Sequence, residues 1–206
     1  MERKMITVIA LVVGGGILAA AFGAQLATTT STPETNPNCL SLDDVRGIKH
    51  DLRLPIYLPE GYEYKCGIAQ DAEANLLYWD EQIDRGSYQF DAISSVSTER
   101  GSIFFRVADA PEITNSTKAV MDDYENILKN NPGLKPQLVD INGKLAWAHE
   151  AVPDGGKQTA QFPDGQVITN TFDMPARLRI YDDGQIIRFE GFVPLDELIK
   201  MAKSLP

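Results

Sequence analysis

The sequence predicts an α+β fold, a curved antiparallel β-sheet with about three helices packed on one side. Two dipeptides, Asn142-Gly143 and Asp183-Gly184, each separate strand-like stretches in the manner of a two-residue hairpin, and those around Asp183-Gly184 put their apolar residues on one face. Three other segments carry apolar residues at the helical spacing of three and four. No linker or repeat divides residues 39–206, so these strands and helices share one layered domain.

The 206-residue chain opens with a segment unlike the rest. Glu2, Arg3 and Lys4 precede residues 5–27, a run without a single charge. About 20 apolar residues cross a bilayer as a helix. The run therefore reads as a transmembrane anchor, or as a signal peptide with a poor cleavage site. Arg3 and Lys4 favour a cytoplasmic N-terminus. The C-terminal domain is then outside, held to the cell membrane by a single pass, or secreted after cleavage. Residues 28–38, TTTSTPETNPN, form a disordered polar tether.

The exported domain begins at Cys39. Ser41 and Asp44 fit a capping box, and Leu42, Val45, Ile48 and Leu52 share one face of a helix over 42–52. Pro55 and Pro59 force an extended stretch, and Gly61 turns the chain into a strand through Tyr62, Tyr64 and Cys66. Strands follow at 75–82 and 101–108, where Ile103, Phe105 and Val107 alternate with Phe104 and Arg106. A second helix over 116–130 presents Val120, Tyr124, Ile127 and Leu128 on one side, with Asp122, Asp123, Glu125 and Lys129 opposite.

The Asn142-Gly143 hairpin pairs Leu138 with Trp147 and Val139 with Ala146. Asp183-Gly184 pairs Ile180 with Ile187 and Leu178 with Phe189, all on one face. Pro153-Asp154-Gly155-Gly156 and Pro163-Asp164-Gly165 read as further turns. The last helix starts at Pro194, with Leu195, Leu198, Ile199, Ala202 and Leu205 as its stripe.

Three segments carry a resemblance: Tyr57-Leu58-Pro59-Glu60-Gly61-Tyr62, the Ile141-Asn142-Gly143 turn, and the helix from Leu195 to Leu205 with its D-E-L-I-K-x-A-x-S-L pattern. Over roughly residues 55–206 the chain resembles a family of exported domains found in bacterial membrane proteins, some beside anti-sigma regions, and in archaeal extracytoplasmic proteins. In layout it is also similar to the lipoprotein-carrier and RseB-like sheets. That similarity implies a carrier or sensor of lipid-like molecules. The resemblance brings no catalytic residues with it.

Composition narrows the chemistry. Two cysteines and two histidines offer no sensible four-ligand zinc set, and a formal charge of −10 argues against nucleic acid. No G-x-S-x-G, H-E-x-x-H or P-loop motif is present, so neither catalytic residues nor a cofactor or metal site is assigned and the chain reads as non-enzymatic. His50 and His149 read as structural, and Asp43-Asp44, Asp122-Asp123 and Asp182-Asp183 as caps, a solvated helix face and a turn. Outside the cell, Cys39 and Cys66 pair by default, which stabilises by about 3 kcal/mol in the chain-entropy account. Asn115-Ser116-Thr117 is a glycosylation sequon, although Asn115 also suits the N-cap of the second helix.

One arrangement stands out. Register places Arg177 opposite Glu190 and Arg179 opposite Arg188, all facing away from Leu178, Ile180, Ile187 and Phe189. Arg177, Arg179 and Arg188 could form an anion or partner patch, or be neutralised by neighbouring acids. The expected role is binding a protein partner or ligand, for which such a patch would serve. The alternative is a hydrophobic ligand on a concave sheet face lined by Trp79, Phe105 and Trp147.

Overall fold

The structure, a computed structural model, describes residues 39–81, 101–161 and 166–206. The apolar run 5–27, the tether 28–38 and the Pro163-Asp164-Gly165 turn lie outside the described residues. Among the described residues no helix is long and apolar enough to cross a membrane.

The chain folds as an α+β domain around a seven-stranded antiparallel sheet. Its strands are β1 Tyr62–Gln70, β2 Glu73–Asp80, β3 Ser102–Asp109, β4 Gln137–Ile141, β5 Lys144–His149, β8 Ala176–Asp182 and β9 Gln185–Gly191, in the order β1-β2-β3-β9-β8-β5-β4. A separate two-stranded arm joins β6 Val152–Gln161 to β7 Val167–Met174. Both dipeptide turns form as expected, with positive φ at Asn142, Gly143, Asp183 and Gly184. The registers Leu138–Trp147, Val139–Ala146, Leu178–Phe189 and Ile180–Ile187 are those read from the sequence.

One face of the sheet holds the main core. Leu76, Ile103, Phe105, Val107, Leu178, Ile180, Ile187 and Phe189 point into it and are essentially buried. They meet Val45 of helix α1, Leu42–Ile48, and Leu195, Leu198, Met201 and Ala202 of the C-terminal helix, Leu195–Lys203. Each such large side chain contributes about 1.5–3 kcal/mol by leaving water. Helix α1 is entered as predicted: Ser41 Oγ accepts from Asp44 N–H at 3.2 Å and donates to Asp44 Oδ2 at 2.6 Å. It sits directly on β1 because residue 67 is glycine. A Cβ there would lie 2.5 Å from Val45 Cγ2 and 2.6 Å from the Tyr64 hydroxyl.

Helix α1 ends at Ile48, four residues short of the expected boundary. Lys49 turns inward, only 2% exposed, and its ammonium donates to Asp51 Oδ1 at 2.5 Å and Asp109 Oδ1 at 2.7 Å. Satisfying that buried charge outweighs another helical turn.

The helices do not all pack on one side. Helix α2, Ser116–Asn130, lies on the opposite face, where Val120, Tyr124 and Ile127 cover Trp147 and Tyr181. The C-terminal helix, hereafter α3, shares the first face with α1. The reason is alternation: in β5 and β8, Ala146, Ala148, Leu178 and Ile180 serve one core, while Trp147 and Tyr181 on the other side need a cover of their own. The same parity sets Phe105 apart from the other two aromatics expected to line a single concave face, which share the opposite face in separate clusters. Phe105 lies in the main core, Trp79 with Phe104 and Leu77 in a second cluster, and Trp147 under α2.

The three segments that carried the resemblance meet along α3. Asn142 Nδ2 donates to Lys203 O at 2.9 Å, Tyr57 N–H to Ser204 Oγ at 2.9 Å, and the Tyr57 hydroxyl to Glu197 Oε2 at 2.5 Å.

Candidate functional site

Cys39 and Cys66 form a disulfide, with Cα atoms 5.1 Å apart. The residue before Cys66 is a bulge in β1, and Leu40 bridges to Gly67, so the cystine ties the segment ahead of α1 to the edge strand. Asn115 caps α2: its Oδ1 accepts from Lys118 N–H at 2.9 Å, while Nδ2, the atom a sugar would join, takes no part in the cap.

The three arginines lie on the α2 face, away from the main core, in the predicted register. Their charges are largely answered. Arg177 Nε donates to Glu190 Oε2 at 2.9 Å, and Arg188 Nη2 donates to the same oxygen at 2.5 Å. Arg179 Nη1 donates to Asp123 Oδ2 at 2.6 Å and lies 5.5 Å from the centre of the Trp147 ring. Arg188 lies similarly over Phe104, at 5.7 Å. Burial, together with the like charges of Arg177 and Arg179, holds Arg188 below the ordinary arginine value, with Glu190 opposing.

Asp123 is the residue that sequence reasoning placed wrongly. It was expected on a solvated helix face, yet its Oδ2 also accepts from Trp147 Nε1 at 3.1 Å and from the Tyr181 hydroxyl at 2.5 Å. Burial alone would raise the Asp123 carboxyl. The hydrogen bonds from Tyr181, Arg179 and Trp147 and the charge of Arg179 outweigh it and hold the group below the usual carboxylate range. An i,i+1 acidic pair gave no signal for this, because Asp122 and Asp123 differ only in which way the helix turns them.

Beside this cluster a cavity of about 560 Å³ opens between the end of α2, the turn at Pro132–Leu134, strands β5 and β8, and the β6–β7 arm. Ile127, Trp147, Phe172 and Met174 give it apolar walls, and His149, Arg177 and Lys157 supply the polar groups. Volumes of this order suit small-molecule sites. His149 is fully buried, and its ring stacks within 16° of the Trp147 ring plane at 6.1 Å. Its Nδ1 lies 2.8 Å from Glu150 O, an acceptor, so Nδ1 carries the proton and Nε2 the lone pair. That Nε2 is buried and has no hydrogen-bond partner. Burial pushes the His149 pKa down; Glu150 and Glu190 oppose this, and Arg177 adds to it. The imidazole is thus a neutral acceptor.

The arm that walls the cavity arises where the sequence predicted a turn. Pro153-Asp154-Gly155-Gly156 is instead a bulge within β6. Asp154, at φ 52°, donates its N–H to Asp173 Oδ1 at 3.0 Å and accepts from Thr171 Oγ1 at 2.9 Å, so the turn-forming residues are absorbed by β7. Gly156 is required there: a Cβ would come within 2.3 Å of the Phe172 ring, which lies across it. No family model, curated protein or solved structure matches the chain.

Proposed function

We propose that the chain is an extracytoplasmic binding domain, tethered to the cell membrane through residues 5–27, that holds a ligand without transforming it in the cavity beside His149. The observation that carries this reading is a cavity of about 560 Å³ whose described lining joins apolar walls to two cations, Arg177 and Lys157, and includes no carboxylate. The cavity brings His149 together with the cations Arg177 and Lys157, an arrangement suited to recognition. The disulfide supports export, because such bonds persist in oxidising compartments. The resemblance to exported domains and to lipid-carrier sheets agrees with a binding role.

The test is capture. Full-length protein is extracted from native membranes, and co-purifying small molecules are identified by mass spectrometry. A molecule retained by the natural protein and lost from Ile127→Trp, which fills the cavity, supports the reading; identical content in both refutes it. A second reading, protein docking, is favoured by one feature: Phe172, Ile168 and Val167 on the arm are 43%, 41% and 56% exposed. Capture of a protein that survives Ile127→Trp but not Ile168→Lys would favour it.

A further inference from the structure

We propose that Asn115 is N-glycosylated, its Nδ2 receiving an oligosaccharide from a polyprenyl-phosphate-linked donor on the outer side of the membrane. The inference rests on the export part of the binding reading and is independent of the cavity.

Asn115-Ser116-Thr117 has the form of an acceptor: an asparagine, a residue other than proline, and a hydroxyl two places on. Its asparagine also caps α2, and the two duties use different atoms. The cap needs only Oδ1, which accepts from Lys118 N–H at 2.9 Å. Among the described residues Nδ2 has no hydrogen-bond partner, and Asn115 is exposed. Joining a sugar to Nδ2 leaves Oδ1 an amide carbonyl, so the modified side chain still accepts from Lys118. Pro111, Glu112, Thr114 and Thr117 are exposed as well, so a glycan there meets solvent and no packed side chain is displaced.

The local backbone suits the transfer. Asn115 is extended, at φ −131° and ψ 92°, and ends the loop that leads into α2. Ser116 and Thr117 open the helix, where N–H groups lack intrahelical partners. Freeing the sequon for the transferring enzyme therefore breaks the cap and spares the core, a local opening of low cost. In the transfer, the bond from the sugar's anomeric carbon to the donor's phosphate oxygen breaks. A bond from that carbon to Nδ2 forms, and Nδ2 loses one proton to solvent. A helix of 15 residues is about 22 Å long, with Asn115 at one end and the cavity residues Ile127 and Asn130 towards the other. Sugar and ligand do not compete for space.

The test uses the natural full chain purified from the membranes of its own source cells. Trypsin releases Val107–Lys118, and electron-transfer fragmentation of that peptide locates any sugar. Asn115 should carry sugar in most copies. Thr117→Val keeps a β-branched side chain and the Asn115 cap, and should lose the modification completely. Asn115→Asp should lose it too while retaining a capping oxygen. Recovery of the natural peptide only in unmodified form overturns the proposal. So does sugar on Ser116 or a threonine, or an adduct that persists in Thr117→Val. A membrane-impermeant amine reagent applied to intact cells reads export separately, because every lysine after Lys4 lies in the exported domain. Labelled lysines beside an unmodified Asn115 overturn glycosylation alone, whereas an unlabelled chain overturns export and both readings with it.

Discussion

Replacing Arg179 by Met removes a charge and its donors while keeping an aliphatic stem over Trp147. It leaves Asp123, about 29% exposed, with only the Tyr181 hydroxyl and Trp147 Nε1. A hydrogen bond to a charged group is worth about 1.5–3 kcal/mol, and exposed ion pairs less than about 1 kcal/mol. At roughly a quarter exposure for both partners, this pair falls between them. Relief of the directly opposed Arg179–Arg188 pair returns about 0.5 kcal/mol. The expected net loss is about 1–2 kcal/mol, which for a domain of this size lowers Tm by about 3–6 °C. Thermal melts of the natural protein, Arg179→Met, Asp123→Asn and the double variant supply the assay. The double-mutant cycle should return a coupling of about 1–2 kcal/mol, because the two residues are in direct contact. An Arg179→Met protein melting within about a degree of the natural one, with no coupling to Asp123, would refute a structural role for this arginine and restore it to a free surface patch.

Further outcomes follow from other sites. Because burial holds the His149 pKa below its ordinary 6.5, the unfolded chain takes up a proton that the folded one refuses; stability should fall as pH drops from about 6.5 through the folded value, at up to about 1.4 kcal/mol per pH unit, and His149→Phe should flatten that slope in chemical denaturation. The depressed Asp123 carboxyl contributes stability that is present above pH about 4 and is lost at still lower pH as it protonates, so Asp123→Asn should be less acid-sensitive than the natural protein in pH-dependent melts. Denatured, unreduced protein should resist thiol labelling, and reduction should lower stability by about 3 kcal/mol; labelling at both Cys39 and Cys66 without reductant would remove the disulfide. Gly67→Ala should destabilise by about 1–3 kcal/mol through the forced separation of α1 from β1, measured by urea unfolding.

The hairpins were legible because Asn-Gly and Asp-Gly admit few conformations, and a period of two then dictates every partner. The second face was not legible. The run Leu145-Ala146-Trp147-Ala148-His149 is apolar on both sides, and continuous hydrophobicity does not reveal which helix covers which side. Its answer depends on Asp123 meeting Arg179 across 56 positions of sequence, a contact no local spacing encodes. The cavity was hidden for a similar reason. Its outer wall exists because Asp154 and Gly155 bulge within a strand, whereas the same residues elsewhere would reverse the chain. The arginines were correctly turned away from the main core and Arg177 correctly set opposite Glu190, but the partner on α2, Asp123, came from packing.

The cystine also determines how the domain bears load. Tension that reaches Cys39 along the chain meets the cystine there. The covalent bond passes that tension directly to Cys66 in β1, bypassing residues 40–65 and with them α1 and its cap. Since β1 is an edge strand hydrogen-bonded only to β2 in the sheet, the pull is resisted by one antiparallel ladder. Under reducing conditions the same tension would first peel away Leu40 and α1. Single-molecule pulling from the N-terminus should therefore show a shorter initial extension in the oxidised protein, by the contour length of the 27-residue span the bond closes.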